Sequence, residues 1–163
     1  MELTYRTLQR PEDVVFCGPA NLVTKRESDG TMRKVIRHQR GKTETKVDIL
    51  VTAEIDNVLQ SLMPKNGEAL APGSTFLRNR LDKPYTYSGI SSMLRRYIKA
   101  VGIKESLGFY DLKGKGATDI WRDGVPLEVS QVLRAHESKT SIEIYVKARW
   151  IETVTPNRTN LAG

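Results

Sequence analysis

The chain is poor in the residues that usually build metal centres and covalent cross-links. It has one cysteine, Cys17, and two histidines, His38 and His136, among 163 residues. One thiol cannot close an internal disulfide, so a reducing, cytoplasmic setting fits best. So few imidazoles and thiols leave no spaced ligand cluster, and neither a metal nor another cofactor is expected. No apolar run approaches the ~20 residues that span a bilayer. The N-terminal MELTYRTLQRPED lacks the basic-then-apolar order of a secretion signal. No membrane partner is expected.

Positive charge, by contrast, is plentiful. Lysine and arginine number 26 against 19 acidic residues, giving a formal charge of +7 and an isoelectric point near 9.6. That balance favours a polyanionic partner, but a solvated basic surface would look the same. The charge becomes informative only where it gathers at a site. With 39% hydrophobic and 28% charged residues, the chain reads as one globular domain large enough to hold a core.

The patterning is mixed. Leu3, Thr7 and Leu8 suggest a short helix broken at Gln9-Arg10-Pro11. Pro11 suits the first turn of a second helix, with Glu12 and Asp13 near its positive end. TKRESDG at 24–30 carries the Asp29-Gly30 turn signal. Alternation at Val47, Ile49 and Val51 predicts a half-buried strand. Residues 31–51 therefore read as two antiparallel strands joined around Gly41-Lys42-Thr43. Thr52 is placed to cap a helix over 53–62, with Ile55, Val58, Leu59 and Leu62 as its apolar stripe. A Pro/Gly loop follows at 63–74, then a basic, aromatic loop at 78–87. Ser88 is the expected cap of a helix over 89–101, with Ile90, Met93, Leu94, Tyr97, Ile98 and Val101 inward. Further helices are expected over 109–123, over 126–135, and from Lys139 onward, the last capped by Ser138. Residues 148–163 read as a loose or partner-docking tail.

The residues with chemical potential are scattered. Arg10 sits at a helix break, Lys42 at a hairpin tip, and His136 and Tyr145 on or beside the last two helices. Each is ordinary alone: a solvated arginine, a solubilising lysine, a packed histidine, a core tyrosine. Their order changes the weighing. LQRPEDV, GKTETKVDIL, YDLKGKGATD, VLRAHES and TSIEIY together resemble the ordered boxes of the tyrosine recombinase, or phage integrase, catalytic domain. The resemblance runs over about residues 2–147, and its specificity lies in the ordered set.

That resemblance implies an α+β fold, mainly helical, with a small antiparallel sheet near residues 31–51. It implies site-specific DNA recombination, integration or excision. The hydroxyl of Tyr145 would attack phosphorus, leaving a 3′-phosphotyrosyl link and freeing a 5′-hydroxyl. Negative charge gathers on the non-bridging oxygens in the transition state, where preorganised cationic donors stabilise it. Arg10, Lys113 and His136 match the positions that do this, and Lys42 matches the general acid for the leaving oxygen. Arg78, Arg80, Lys83 and Lys115 become candidate contacts to the DNA backbone. Double-stranded DNA is the implied partner, with a homotetramer on DNA, a monomer alone, and a nucleoid-associated place in a bacterial or prophage setting.

Two positions depart from the family pattern. Lys113 stands where a second arginine is usual, keeping the charge but losing the two-pronged fork. Tyr110 stands where a histidine is usual, a hydroxyl able to donate a hydrogen bond but a poor base near neutral pH. RAH replaces the usual Leu-Gly-His. The family's N-terminal core-binding domain has no counterpart ahead of Arg10. An enzyme of reduced activity is thus expected, with a non-cleaving DNA-binding remnant of a prophage integrase as the alternative. An unrelated basic interaction module would need all five boxes to be coincidence.

Overall fold

The computed structural model describes residues 1–39, 46–65 and 67–134. Six helices and a three-stranded antiparallel sheet occupy them, so the mixed, mainly helical fold expected from the sequence is the one observed. The chain opens with α1 (Glu2–Thr7) and α2 (Pro11–Val15). The break between them is built from Leu8, in the left-handed region at φ 55°, and the extended Arg10. Leu8 accepts that conformation because its side chain is fully buried.

The sheet follows as β1 (Leu22–Arg26), β2 (Met32–Gln39) and β3 (Lys46–Leu50), in that spatial order. Two strands were expected; β1 is the third. Its sequence LVTKR carries too few apolar residues to announce itself, and only pairing with β2 from Leu22↔Ile36 to Arg26↔Met32 makes it a strand. The Asp29-Gly30 turn joins the two, with Gly30 at φ 83° and the Asp29 carboxylate accepting from the Thr31 amide. Between β2 and β3 the register runs from Val35↔Leu50 to Gln39↔Lys46. Ile36, Val47 and Ile49 join one core face, as period-two alternation requires, while Val35, next to Ile36, is buried on the opposite face of β2.

Helix α3 (Ala53–Ser61) is capped by Thr52, whose hydroxyl accepts from the Ile55 amide. Ile55 and Leu59 are buried against Leu3, Val14, Ile36 and Phe76. Helix α4 (Tyr87–Ala100) starts earlier than expected. Its cap is Thr86, which accepts from the Gly89 amide, and not Ser88. Ile90 and Leu94 are buried as expected, but Tyr97 and Val101, expected inward, are 65% and 68% exposed. Helix α5 (Phe109–Arg122) begins at Gly108, whose amide is capped by Asp111, and stops ahead of Gly124 at φ 82°. Helix α6 (Leu127–Leu133) has Pro126 at its cap position rather than inside its first turn. Residues 135–163, including the expected last helix, lie outside the described residues.

What holds the site region together is the packing of α5 on α1. Gly116 makes it possible: a Cβ there would lie 2.2 Å from the Tyr5 carbonyl oxygen and 2.8 Å from Leu8 Cδ2. The Tyr5 hydroxyl donates across this contact to Asp119 at 2.7 Å. No helix among the described residues is long and apolar enough to cross a membrane.

Candidate active site

Arg10 is the cap residue of α2, extended and exposed at the break that Leu8 and Pro11 create. Its neighbour Gln9 is the reverse, 1% exposed. The Gln9 side-chain amide donates to the carbonyl of Thr7 at 3.1 Å and, in a short contact, to the carbonyl of Leu133. Leu133 ends α6, so this one buried amide ties the segment carrying Arg10 to the segment that leads on to His136. Nothing in the local sequence marked Gln9; a polar residue ahead of an arginine reads as surface.

Helix α5 brings Tyr110 to the same place. Its hydroxyl lies 3.0 and 2.9 Å from the two carboxylate oxygens of Glu12, in the first turn of α2. Tyr87, opening α4, meets the Tyr110 ring edge-on at 6.3 Å between centroids. Burial and the Glu12 carboxylate push the Tyr110 hydroxyl up to about 12, with Arg10 nearby pulling the other way. The phenol therefore keeps its proton, and that proton is directed at Glu12. Glu12 was expected only to favour the start of α2; its partnership with Tyr110 joins residues 98 apart.

Lys113 lies one turn further along α5, on the side of the helix that Tyr110 begins. It is 3% exposed, unusual for an ammonium, which stays charged in a buried place only when it is well partnered. Asp13, three residues after Arg10, faces β2: it partly offsets the burial that lowers the His38 imidazole below its ordinary range. Of the six expected catalytic residues, Arg10, Tyr110 and Lys113 are thus at or beside the α2–α5 junction. Lys42, His136 and Tyr145 lie outside the described residues.

The expected DNA-backbone residues divide. Arg80 and Lys83 are exposed on the loop before α4. Arg78 is held within that loop, its guanidinium 2.6 Å from Asp82, and it bridges to Pro84 in the backbone. Lys115 pairs with Asp119 at 2.7 Å, one helical turn away, and lies 6.0 Å from the centre of the Tyr5 ring. An exposed pair of this kind contributes little to stability.

The fold has relatives of known structure. The chain is similar to the XerA recombinase, with a TM-score of 0.71 and 19% identity over 88% of this chain and 49% of that one. It is similar to a lambda integrase dimer bound to a COC′ core site, with a TM-score of 0.70 and 20% identity over 97% and 54%. A lambda integrase tetramer bound to a Holliday junction gives 0.64 and 21% over 85% and 40%. The chain thus spans about half of these structures or less. No curated protein matches it. The model of the phage integrase family matches residues 1–150, nearly the whole length, and the chain belongs to that family.

Proposed function

We propose that this chain carries the strand-cleaving site of a tyrosine-type site-specific recombinase. Tyr145 is the nucleophile, forming a 3′-phosphotyrosyl intermediate. Arg10, Lys113 and His136 stabilise the charge that builds on the phosphate, and Lys42 protonates the leaving 5′-oxygen. Tyr110 takes the place of a histidine, and the reaction is slower for it and for Lys113. Arg80 and Lys83, with Arg78 and Lys115, hold the duplex backbone. Assembly on DNA is as a tetramer, as in the lambda integrase bound to a Holliday junction.

One observation carries this reading within the fold. Helices α2 and α5, far apart in sequence, are joined by the Tyr110–Glu12 hydrogen bond two residues from Arg10, and Lys113 is buried one turn on. A lysine is rarely buried for stability alone, because well-packed apolar residues often serve as well or better. A second reading has support from the same place. The Tyr110 hydroxyl already donates its hydrogen bond to Glu12, and Lys113 lacks the arginine fork, so a DNA-binding remnant that no longer cleaves is the alternative.

The test is covalent capture. A pool of nicked duplexes with a randomised core is incubated with the protein, and protein-linked DNA is recovered under denaturing conditions. The recombinase reading expects an adduct that Tyr145→Phe abolishes. DNA binding without any adduct would establish the remnant instead, and an adduct surviving Tyr145→Phe would displace that residue as nucleophile.

A further inference from the structure

Ser88, Ser91, Arg95 and Lys99 follow one another at helical spacing, so they form a single stripe along one flank of α4. Two cavities open onto this stripe. One, of about 350 Å³, is lined by Arg95 and Lys99 and, from the loop after the helix, by Lys104 and Glu105. The other, of about 420 Å³, is lined by Ser88, Ser91 and Arg95, by Tyr87 at the start of the helix and by Asp111 of α5. Arg95, Ser106 and Leu107 line both, so the two make one trough. It begins at Tyr87, whose ring meets that of Tyr110, and runs to the C-terminal end of α4.

The trough is basic, and its charges are open to a ligand. Arg95, Lys99 and Lys104 are exposed, and none of them pairs with a carboxylate among the described residues. Lys34, Arg37 and Lys115, by contrast, are each matched to an aspartate. Of the two acids on the trough, Asp111 accepts from the Gly108 amide, and Glu105 stands against three cations. Arg95 and Lys99 are like charges one turn apart, an arrangement that weakens a helix. Helix stability therefore does not account for the pair, whereas an anion between them removes the repulsion. The Ser91 hydroxyl is buried and has no hydrogen-bond partner among the described residues. A buried donor of this kind calls for an acceptor, and it lies on the wall of the second cavity.

We propose that this trough holds the phosphodiester backbone of duplex DNA, at positions separate from the 78–83 loop and Lys115. The proposal deepens the recombinase reading above; it rests on the DNA partner of that reading and not on cleavage. Guanidinium, ammonium and serine hydroxyl donors are the groups that contact backbone phosphates. From Ser88 to Lys99 the stripe is roughly 16 Å long at about 1.5 Å per residue. One strand carries a phosphate per about 3.4 Å of duplex axis, so successive phosphates fall within reach of Ser91, Arg95 and Lys99. Lys104 faces the same groups from the loop.

The experiment measures binding of a labelled random-sequence duplex by fluorescence anisotropy at several salt concentrations. One variant combines Arg95→Gln, Lys99→Gln and Lys104→Gln. A second combines Arg26→Gln, Arg33→Gln and Lys65→Gln and removes the same charge elsewhere. Both change only exposed side chains. The trough variant should lower the slope of log affinity against log salt by about 2–3, and the second by less than about 1. Equal falls in the two overturn the proposal, because net charge alone then acts, and so does an unaltered slope in the trough variant. Calorimetry with inorganic triphosphate covers a free phosphate as the source of the same chemistry. No saturable binding is expected; saturable binding that the trough variant loses, with its duplex slope unaltered, would make the trough a site for the free anion instead. A chain that gives no covalent adduct yet shows the expected fall keeps the trough and loses the cleavage reading. Absence of duplex binding by the unaltered chain overturns both.

Discussion

Gly116 of α5 faces the carbonyl oxygen of Tyr5 in α1 across a gap that admits no side chain; a Cβ would sit 2.2 Å from that oxygen. Backbone meets backbone here, and neither helix can yield without shifting the other. Gly116→Ala should therefore destabilise the protein despite alanine's better helix propensity. Propensity offers up to about 1 kcal/mol in favour, while overpacking costs about 1–3 kcal/mol. A net fall in thermal midpoint of several degrees is expected by calorimetry. An unchanged or higher midpoint would show that the helices separate freely.

Leu8 poses the opposite contest. Its left-handed backbone costs about 1 kcal/mol, which glycine would relieve. Its side chain is fully buried, and emptying such a site costs about 3–5 kcal/mol. Burial wins, so Leu8→Gly should lower unfolding stability by about 2–4 kcal/mol in urea titrations. A more stable variant would mean that the surrounding core collapses into the space.

These two positions show what sequence reading reaches. The helix break at Leu8–Pro11, the strand at Lys46–Leu50 and the Thr52 cap each depend on residues within a few positions of one another, and each was legible. Strand β1 depends on its partner, and the exposure of Tyr97 and Val101 depends on where α4 lies against the core. In the candidate site, the ordered boxes pointed to Arg10, Tyr110 and Lys113. The Glu12–Tyr110 and Gln9–Leu133 bonds were not legible, because they join residues 98 and 124 apart through side chains with ordinary local explanations.

Burial lowers the His38 imidazole below its usual value, against a partial opposing effect of Asp13. Folded and unfolded chains are both neutral at this residue above about pH 6.5, and its contribution is then fully present. As pH falls below that, the unfolded chain takes up the proton first, so stability declines until the folded-state pKa is passed. Between pH 7 and 5 the unaltered protein should lose stability more steeply than His38→Gln. Parallel pH profiles of the urea midpoint would exclude this.

Lys113 is asked to hold a phosphate charge from a buried place. Lys113→Met keeps the aliphatic stem and deletes the ammonium. Adduct formation on a nicked duplex should fall roughly 100- to 1,000-fold, the usual loss of one preorganised donor, with a much smaller loss in duplex affinity by fluorescence anisotropy. Equal losses in both would make Lys113 a binding residue alone.

Arg80 and Lys83 are exposed, whereas Arg78 is held by Asp82. If the loop tracks a duplex backbone, Arg80→Ala and Lys83→Ala should each lower the slope of log affinity against log salt by about 1. Neither should change the unfolding midpoint. Arg78→Ala should lower the slope less, because Asp82 already engages its guanidinium, and should also lower the midpoint. A flat salt dependence in the starting protein would remove this loop from the DNA interface.

The Gln9 amide spans nearly the whole described chain to reach Leu133, and Tyr5–Asp119 and Glu12–Tyr110 run parallel to it. All three close loops of about a hundred residues. Such contacts form late, because the entropy of closing the loop is lost before the contact repays it. During synthesis α1 and α2 leave the ribosome several seconds before α5 and α6 at ordinary translation rates of about 5–20 residues per second. Over that interval Arg10 has none of its partners from the far end of the chain. The candidate site is therefore the last region to acquire its shape, and slow folding of this protein should be felt there first.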